Sequence, residues 1–197
     1  MAVGSADVLV EPHDEHLAPE PPARVDLVVL CTGNAARSVM AGVMLEVLAE
    51  AEGIGLRVLT AGTHAVDGQP AGLRTRTALA TVAPLGDVTL SAHRSRQLSE
   101  AQLSSADLVV AMEADHVRYV RRVHPEAADR TATIRRLCAD LPSGPAPLES
   151  RVASLELERV LLSDDEDVAD PAGGDDDDYA ACAAQLWSLC QELVTRF

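Results

Sequence analysis

The chain has almost no aromatic residues. One Trp, two Tyr and one Phe make up 2% of 197 residues, so the core must be aliphatic. Basic residues are also scarce, 16 Lys and Arg against 31 Asp and Glu, a formal net charge of −15. That balance argues against nucleic acid and anionic membrane surfaces as partners, since both need basic patches. No apolar run reaches the length of a membrane span, so no membrane insertion is expected. Four cysteines, Cys31, Cys138, Cys182 and Cys190, are far apart, and no C-x-x-C or His/Cys cluster suggests a metal site. The first residues lack the basic start and long apolar stretch of an export signal. Reduced thiols in a cytoplasm are therefore expected.

What is present is 47% hydrophobic content, ordinary for one soluble α/β domain. Pro, Glu and Ala dominate residues 1–23, which reads as a disordered tail before a single domain over 24–197. "VDLVVLC" (25–31) is continuous, apolar and β-branched, the pattern of a buried parallel strand. A helix is expected over 38–53, with Ser38 at its start and Gly53 past its end. A strand over 56–63, a helix over 70–83, a strand over 106–112 and a helix over 113–125 follow. A weaker fourth strand is read over 130–137, a loop over 138–150, helical periodicity over 150–162 and a last helix from Tyr179. The β-α-β-α-β-α-β order implies a parallel sheet with helices on both faces. Ligands of such sheets sit at the carboxyl ends of strands, which is where Cys31 falls.

"CTGNAARS" (31–38) carries the chemistry. A bare C-x5-R is compatible with a core cysteine and a surface arginine. Here it lies between a strand and a helix and contains a Gly-Asn pair. Successive N–H groups of such a loop can curl around an anion, and the following helix adds its positive end. The loop from Thr32 through Gly33, Asn34, Ala35, Ala36, Arg37 and Ser38 is thus the candidate phosphate cradle. Arg37 offers a planar fork for two phosphoryl oxygens. Those donors favour a thiolate at Cys31, placed for in-line attack on phosphorus. Gly33 gives room for close approach, and Asn34 suits a left-handed backbone. Ser38 is expected to cap the helix and to donate to the thiolate.

"VLCTGNAARSVMA" resembles the low-molecular-weight protein tyrosine phosphatases, whose loop reads roughly V-C-x-G-N-x-C-R-S-P-M-A. "TAGTHAVDGQP", "AHRSRQLSEAQLSSADLVVAMEADH" and "ADPAGGDDDDY" extend the resemblance, in order, over residues 25–197, most closely to bacterial members. It implies a flavodoxin-like fold of three layers around a four-stranded parallel sheet. It implies a cysteinyl-phosphate mechanism without cofactor or metal, in which Asp170 of "DP" is the general acid and later the base. Pro171 restricts the Asp170 backbone. Thr60, His93, Asn34 and Ser38 match a network that supports the loop. Asp164, Asp165, Asp167 and Asp175–Asp178 are read as surface charge.

The chain departs from that pattern at four places. The second loop cysteine is Ala36, which removes a disulfide that would protect Cys31 from over-oxidation. The loop proline is Val39, and Gly42 stands where Glu is frequent. Ala172 and Gly173 replace the aromatic walls of the phosphotyrosine slot, and "HAVDG" offers only His64 and Val66. The expected substrate is protein phosphotyrosine, with small aryl phosphates, basic peptides or a substrate not on tyrosine also suited. The alternatives are an arsenate reductase relayed by Cys138, Cys182 or Cys190, and a non-catalytic member that binds phosphate or a partner.

Overall fold

A computed structural model describes residues 24–197. The expected tail over 1–23 lies outside the described residues. Four strands, β1 (Val25–Cys31), β2 (Leu56–Gly62), β3 (Leu108–Ala111) and β4 (Thr131–Thr133), form one parallel sheet in the order β2-β1-β3-β4. The first strand is central. The chain leaves it to one side for β2 and to the other for β3, so the switch point lies at the carboxyl end of β1, beside Cys31.

Strand alternation divides the core in two. Leu27, Val29 and Cys31 face a large aliphatic cluster built with α1 (Arg37–Ala51), α2 (Leu73–Ala80), α5 (Ile134–Asp140) and α7 (Asp176–Val194). Val28 and Leu30 face a smaller cluster with Leu103 of α3 (Glu100–Leu103) and Val120 of α4 (Ala114–Val123). The sheet is therefore covered on both faces, as the βα alternation predicts. Among the described residues no helix is long and apolar enough to cross a membrane.

Helix α1 lies close on β2. A Cβ on Gly42 would stand 2.7 Å from Thr60 Cγ2, so glycine suits this close approach despite its poor helix propensity. The helix ends with Gly53 at φ +69°, as its position past the helix predicts.

Three expectations need correction. The strand read over 130–137 stops at Thr133, because the Thr133 hydroxyl accepts the Arg136 N–H (3.2 Å) and starts α5. That helix extends into the expected loop at 138–150. The helix read over 150–162 is short, α6 (Leu148–Ala153), and the chain turns through Glu156 at φ +47°. The run 175–178 is exposed but is more than solvated charge. Asp175 caps α7 by accepting from Asp177 N and Asp178 N, and the acids of the first turn complement the helix dipole.

Candidate active site

The loop 32–36 joins β1 to α1, and nearly every carbonyl in it is tied outward. Cys31 O accepts from Thr63 N (3.0 Å), Thr32 O from His64 N (2.9 Å) and Asn34 O from the ring of His93 (3.0 Å). Ala35 O accepts from Thr75 Oγ1 (3.0 Å) and Ala36 O from Met40 N (2.9 Å). The N–H groups of Gly33 through Ser38 have no acceptor among the described residues. A peptide whose C=O points out points its N–H in, so the N–H groups of Gly33, Ala35, Ala36 and Arg37 turn toward the loop's hollow. Asn34 makes the curl possible at φ +51°.

A directed chain of hydrogen bonds ends at Cys31. Arg96 N donates to Asn34 Oδ1 (2.9 Å), which fixes the amide. Asn34 Nδ2 then donates to Ser38 Oγ (3.0 Å). Ser38 Oγ lies 3.0 Å from Cys31 Sγ, and its single hydrogen is free to donate to a thiolate there. Cys31 and Ser38 are both buried. Ser38 does not cap α1 as expected. It is the second residue of that helix, the N-cap is Ala36, and the hydroxyl turns back to the thiol.

Arg37, 1% exposed, lies under the loop with both terminal nitrogens engaged. Nη1 donates to Glu113 Oε1 and to Val168 O (2.9 Å). Nη2 donates to Asp170 Oδ2 (2.5 Å) and to Thr32 Oγ1 (3.3 Å). Its Nε has no partner among the described residues. Asp170 thus reaches the loop, across 133 positions of sequence. Its other oxygen accepts Ala172 N (3.0 Å), a turn that aims the carboxylate.

His93 joins the loop as expected, and burial lowers its pKa, so a neutral ring donates Nε2–H to Asn34 O. Thr60 does not join it. Its side chain is taken up by the close packing against Gly42 of α1. Four further groups contribute that motif reading did not single out. Glu113 and His116, at the carboxyl end of β3, meet Arg37 and Thr32. Asp167 leaves the class of surface charge, since its Oδ1 caps α4 at Ala114 N (2.7 Å) and clasps the Asp170 loop to β3. Gly62, opposite Cys31 in the sheet, leaves no room for a Cβ, which would stand 2.5 Å from Thr32 O. The signal for the first two was visible as acidic and imidazole groups just past a buried strand.

The other cysteines are buried thiols. Burial pushes Cys138 up to about 12, Cys182 up to about 11, and Cys190 upward as well. Cys138 donates to Leu189 O (3.3 Å) and Cys190 to Ala41 O (3.8 Å). Ala172 and Gly173, beyond the acid, are exposed.

A family model described as low molecular weight phosphotyrosine protein phosphatase matches residues 26–143. The protein-arginine-phosphatase of Geobacillus stearothermophilus is 28% identical over 170 residues, 86% of this chain and 94% of that protein. The low molecular weight protein-tyrosine-phosphatase of Streptomyces coelicolor is 32% identical over 170 residues, 84% of this chain and 88% of that protein. A solved structure of the YwlE arginine phosphatase, a cysteine-to-serine mutant with a phosphorylated active-site serine, superposes with a TM-score of 0.68. It is 27% identical, over 86% of this chain and 93% of that one.

Proposed function

The chain belongs to the low molecular weight phosphotyrosine protein phosphatase family, and from that premise we propose that residues 24–197 form a catalytic domain that hydrolyses protein phosphotyrosine through Cys31. The observation that carries the reading is the meeting of Cys31, Arg37 and Asp170 around a loop whose N–H groups face inward.

A bound phosphoryl group takes the N–H groups of Gly33 through Ser38 and two nitrogens of Arg37. Nη1 is committed to Glu113 and Val168, so the available edge is Nε with Nη2. A phosphoryl oxygen on Nη2 displaces Asp170, which frees that carboxyl for the leaving group. Freed from Arg37, Asp170 takes up the proton that Cys31 gives up on ionising. The thiolate then attacks phosphorus in line while the ester P–O bond breaks, and Asp170 passes that proton to the leaving oxygen. Asp170 then takes a proton from water, which attacks the cysteinyl phosphate and releases inorganic phosphate and the thiolate. The loop donors and Arg37 stabilise the charge in both steps. Ser38 O–H stabilises the thiolate as it leaves. A reducing compartment, the cytoplasm, suits this chemistry.

One observation favours a second substrate, phosphoarginine, with P–N in place of P–O cleavage. The rim has no aromatic wall at Ala172 and Gly173, and it is acidic through Asp170 and Asp178, which line one cavity. Such a rim favours a cationic leaving group, and a relative of similar length is named for that activity. Arsenate reduction is not favoured, since the relay would need thiolates where the chain has buried thiols, two of them, Cys138 and Cys190, hydrogen-bonded to backbone carbonyls.

The test is turnover of p-nitrophenyl phosphate by the purified protein, then kcat/KM on matched phosphotyrosine and phosphoarginine peptides. Cys31→Ser should abolish turnover, and Asp170→Ala should lower kcat by roughly 10²–10⁴-fold. Turnover that survives Cys31→Ser would sink the mechanism.

A further inference from the structure

His116 stands in the first turn of α4 with its side chain 3% exposed. Its Nε2 lies 3.1 Å from Thr32 Oγ1 and 3.5 Å from Glu113 Oε2. Its Nδ1 is buried with no partner among the described residues. Thr32 Oγ1 and the other Glu113 oxygen both receive Arg37. The four side chains therefore close a ring: Arg37, Glu113, His116, Thr32.

The contacts of the ring favour one set of protons. Burial, then the charge of Arg37, hold the imidazole down to about 4, so it is neutral at neutral pH. A neutral imidazole carries one N–H. A carboxylate and a hydroxyl oxygen face Nε2 while nothing faces Nδ1, so the hydrogen belongs on Nε2. Thr32 Oγ1 then accepts from both His116 and Arg37, which uses both of its lone pairs. Its own hydrogen must point elsewhere. Thr32 lines a cavity of about 360 Å³ shared with His64 and Tyr119, and that is the open side.

We propose that His116 is a positioning residue for the reaction at Cys31: its Nε2–H fixes the Thr32 hydroxyl, which together with Glu113 squares Arg37 to the loop and leaves the Thr32 O–H to the adjoining cavity. This rests on the phosphatase reading above. His116 touches no reacting atom. Its effect passes through Thr32 and Arg37.

The test compares His116→Ala, His116→Gln, Thr32→Val and the His116→Ala/Thr32→Val double variant on p-nitrophenyl phosphate. Glutamine can restore a donor near the Nε2 position. His116→Ala should lower kcat by roughly three- to tenfold, the worth of one neutral hydrogen bond, with KM little changed. His116→Gln should recover most of that loss. Thr32→Val should lose a similar amount, and the double variant no more than the worse single one. A folded His116→Gln as poor as His116→Ala, or losses that multiply, would overturn the proposal. An independent arm is the long-range ¹H–¹⁵N spectrum of the parent at pH 7, in which His116 should be the neutral Nε2–H tautomer. An Nδ1–H or charged ring overturns the proposal even if every variant misfolds. A parent protein without turnover would instead overturn the phosphatase reading and leave the spectrum to decide the ring.

Discussion

Gly62→Ala tests whether the loop depends on close approach of β2. The added Cβ would stand 2.5 Å from Thr32 O, 2.8 Å from Ala65 Cβ and 2.9 Å from Asn34 N. Two of these are backbone atoms of the loop, so no side chain can rotate away. An ordinary C···O contact begins at roughly 3.3 Å, which asks the Thr32 carbonyl to retreat by about 0.8 Å. The Thr32 C=O and the Gly33 N–H share one rigid peptide plane, so the first donor of the hollow moves too. A misplacement of about 1 Å at reacting geometry costs roughly 10²-fold in rate. The overpacking itself costs about 1–3 kcal/mol of stability. The expected result is a kcat/KM on p-nitrophenyl phosphate lowered by roughly 30-fold or more, with a lower urea midpoint. Gly42→Ala is the control. Its Cβ meets only side-chain methyls, Thr60 Cγ2 at 2.7 Å and Val58 Cγ1 at 3.5 Å, away from the loop. It should cost stability but leave kcat/KM within about twofold, and Thr60→Ser should relieve the cost. If Gly62→Ala keeps kcat/KM within about twofold of the parent while folded, the loop is not set by this contact and the reasoning fails.

Two further outcomes are expected. Ser38→Ala and Asn34→Ala should each lower kcat by roughly ten- to hundredfold, and the double variant should lose little more than either, because both act on one chain ending at Cys31. Full multiplication of the losses in steady-state assays would show two independent routes. Stability should also fall with acid in a defined window. The unfolded chain protonates the His116 ring near 6.5 but the folded chain only near 4, so stability present above 6.5 is lost as pH falls toward 4. The loss approaches roughly 3 kcal/mol for this ring. The groups around it are Arg37, Asp170, Asp115 and His64, beside Glu113 and Thr32. Urea midpoints from pH 7.5 to 4.5 should flatten in His116→Gln, and an unchanged slope would count against the assignment.

The parts of this site that could be read from the sequence are those whose information is local. Strand β1, the curl at Asn34 and Arg37 lie in one continuous stretch, and the apolar run with its Gly-Asn break defines them together. The role of Asp170 comes from the resemblance, since only the following Pro171 separates it locally from the other acids of that run. What stayed hidden depends on register between strands. Glu113 and His116 matter because β3 pairs beside β1 with Leu30 opposite Ala111, which sets the two strand ends side by side. Thr60 was misread for a related reason. It pairs with Val29, two residues short of Cys31, and is packed against α1 instead of the loop. Asp167 and Asp175 were hidden in a low-complexity acidic run, where composition says solvent and only the helix starts behind them say cap.

That distinction answers how a chain with a net charge of −15 can hold an anion. Several carboxylates nearest the loop are already engaged. Glu113 is bonded to Arg37, Asp167 to the start of α4, Asp175 to the start of α7, and Glu166 to Arg136 and Thr133. A carboxylate held by N–H groups or a guanidinium contributes much less to the field beyond its partner than a free one. Asp170 is the exception that chemistry requires. It is bonded to Arg37 on the edge that phosphate must take, with its side chain 38% exposed, and so it is the carboxylate that binding releases. Anion binding and acid delivery are then one exchange on Nη2. Asp170→Asn removes the competing charge without removing the side chain. It should tighten inorganic phosphate binding while lowering kcat, and calorimetry beside steady-state rates checks both. Weaker phosphate binding in Asp170→Asn would mean that Asp170 serves to hold Arg37 in place, and the exchange would be wrong.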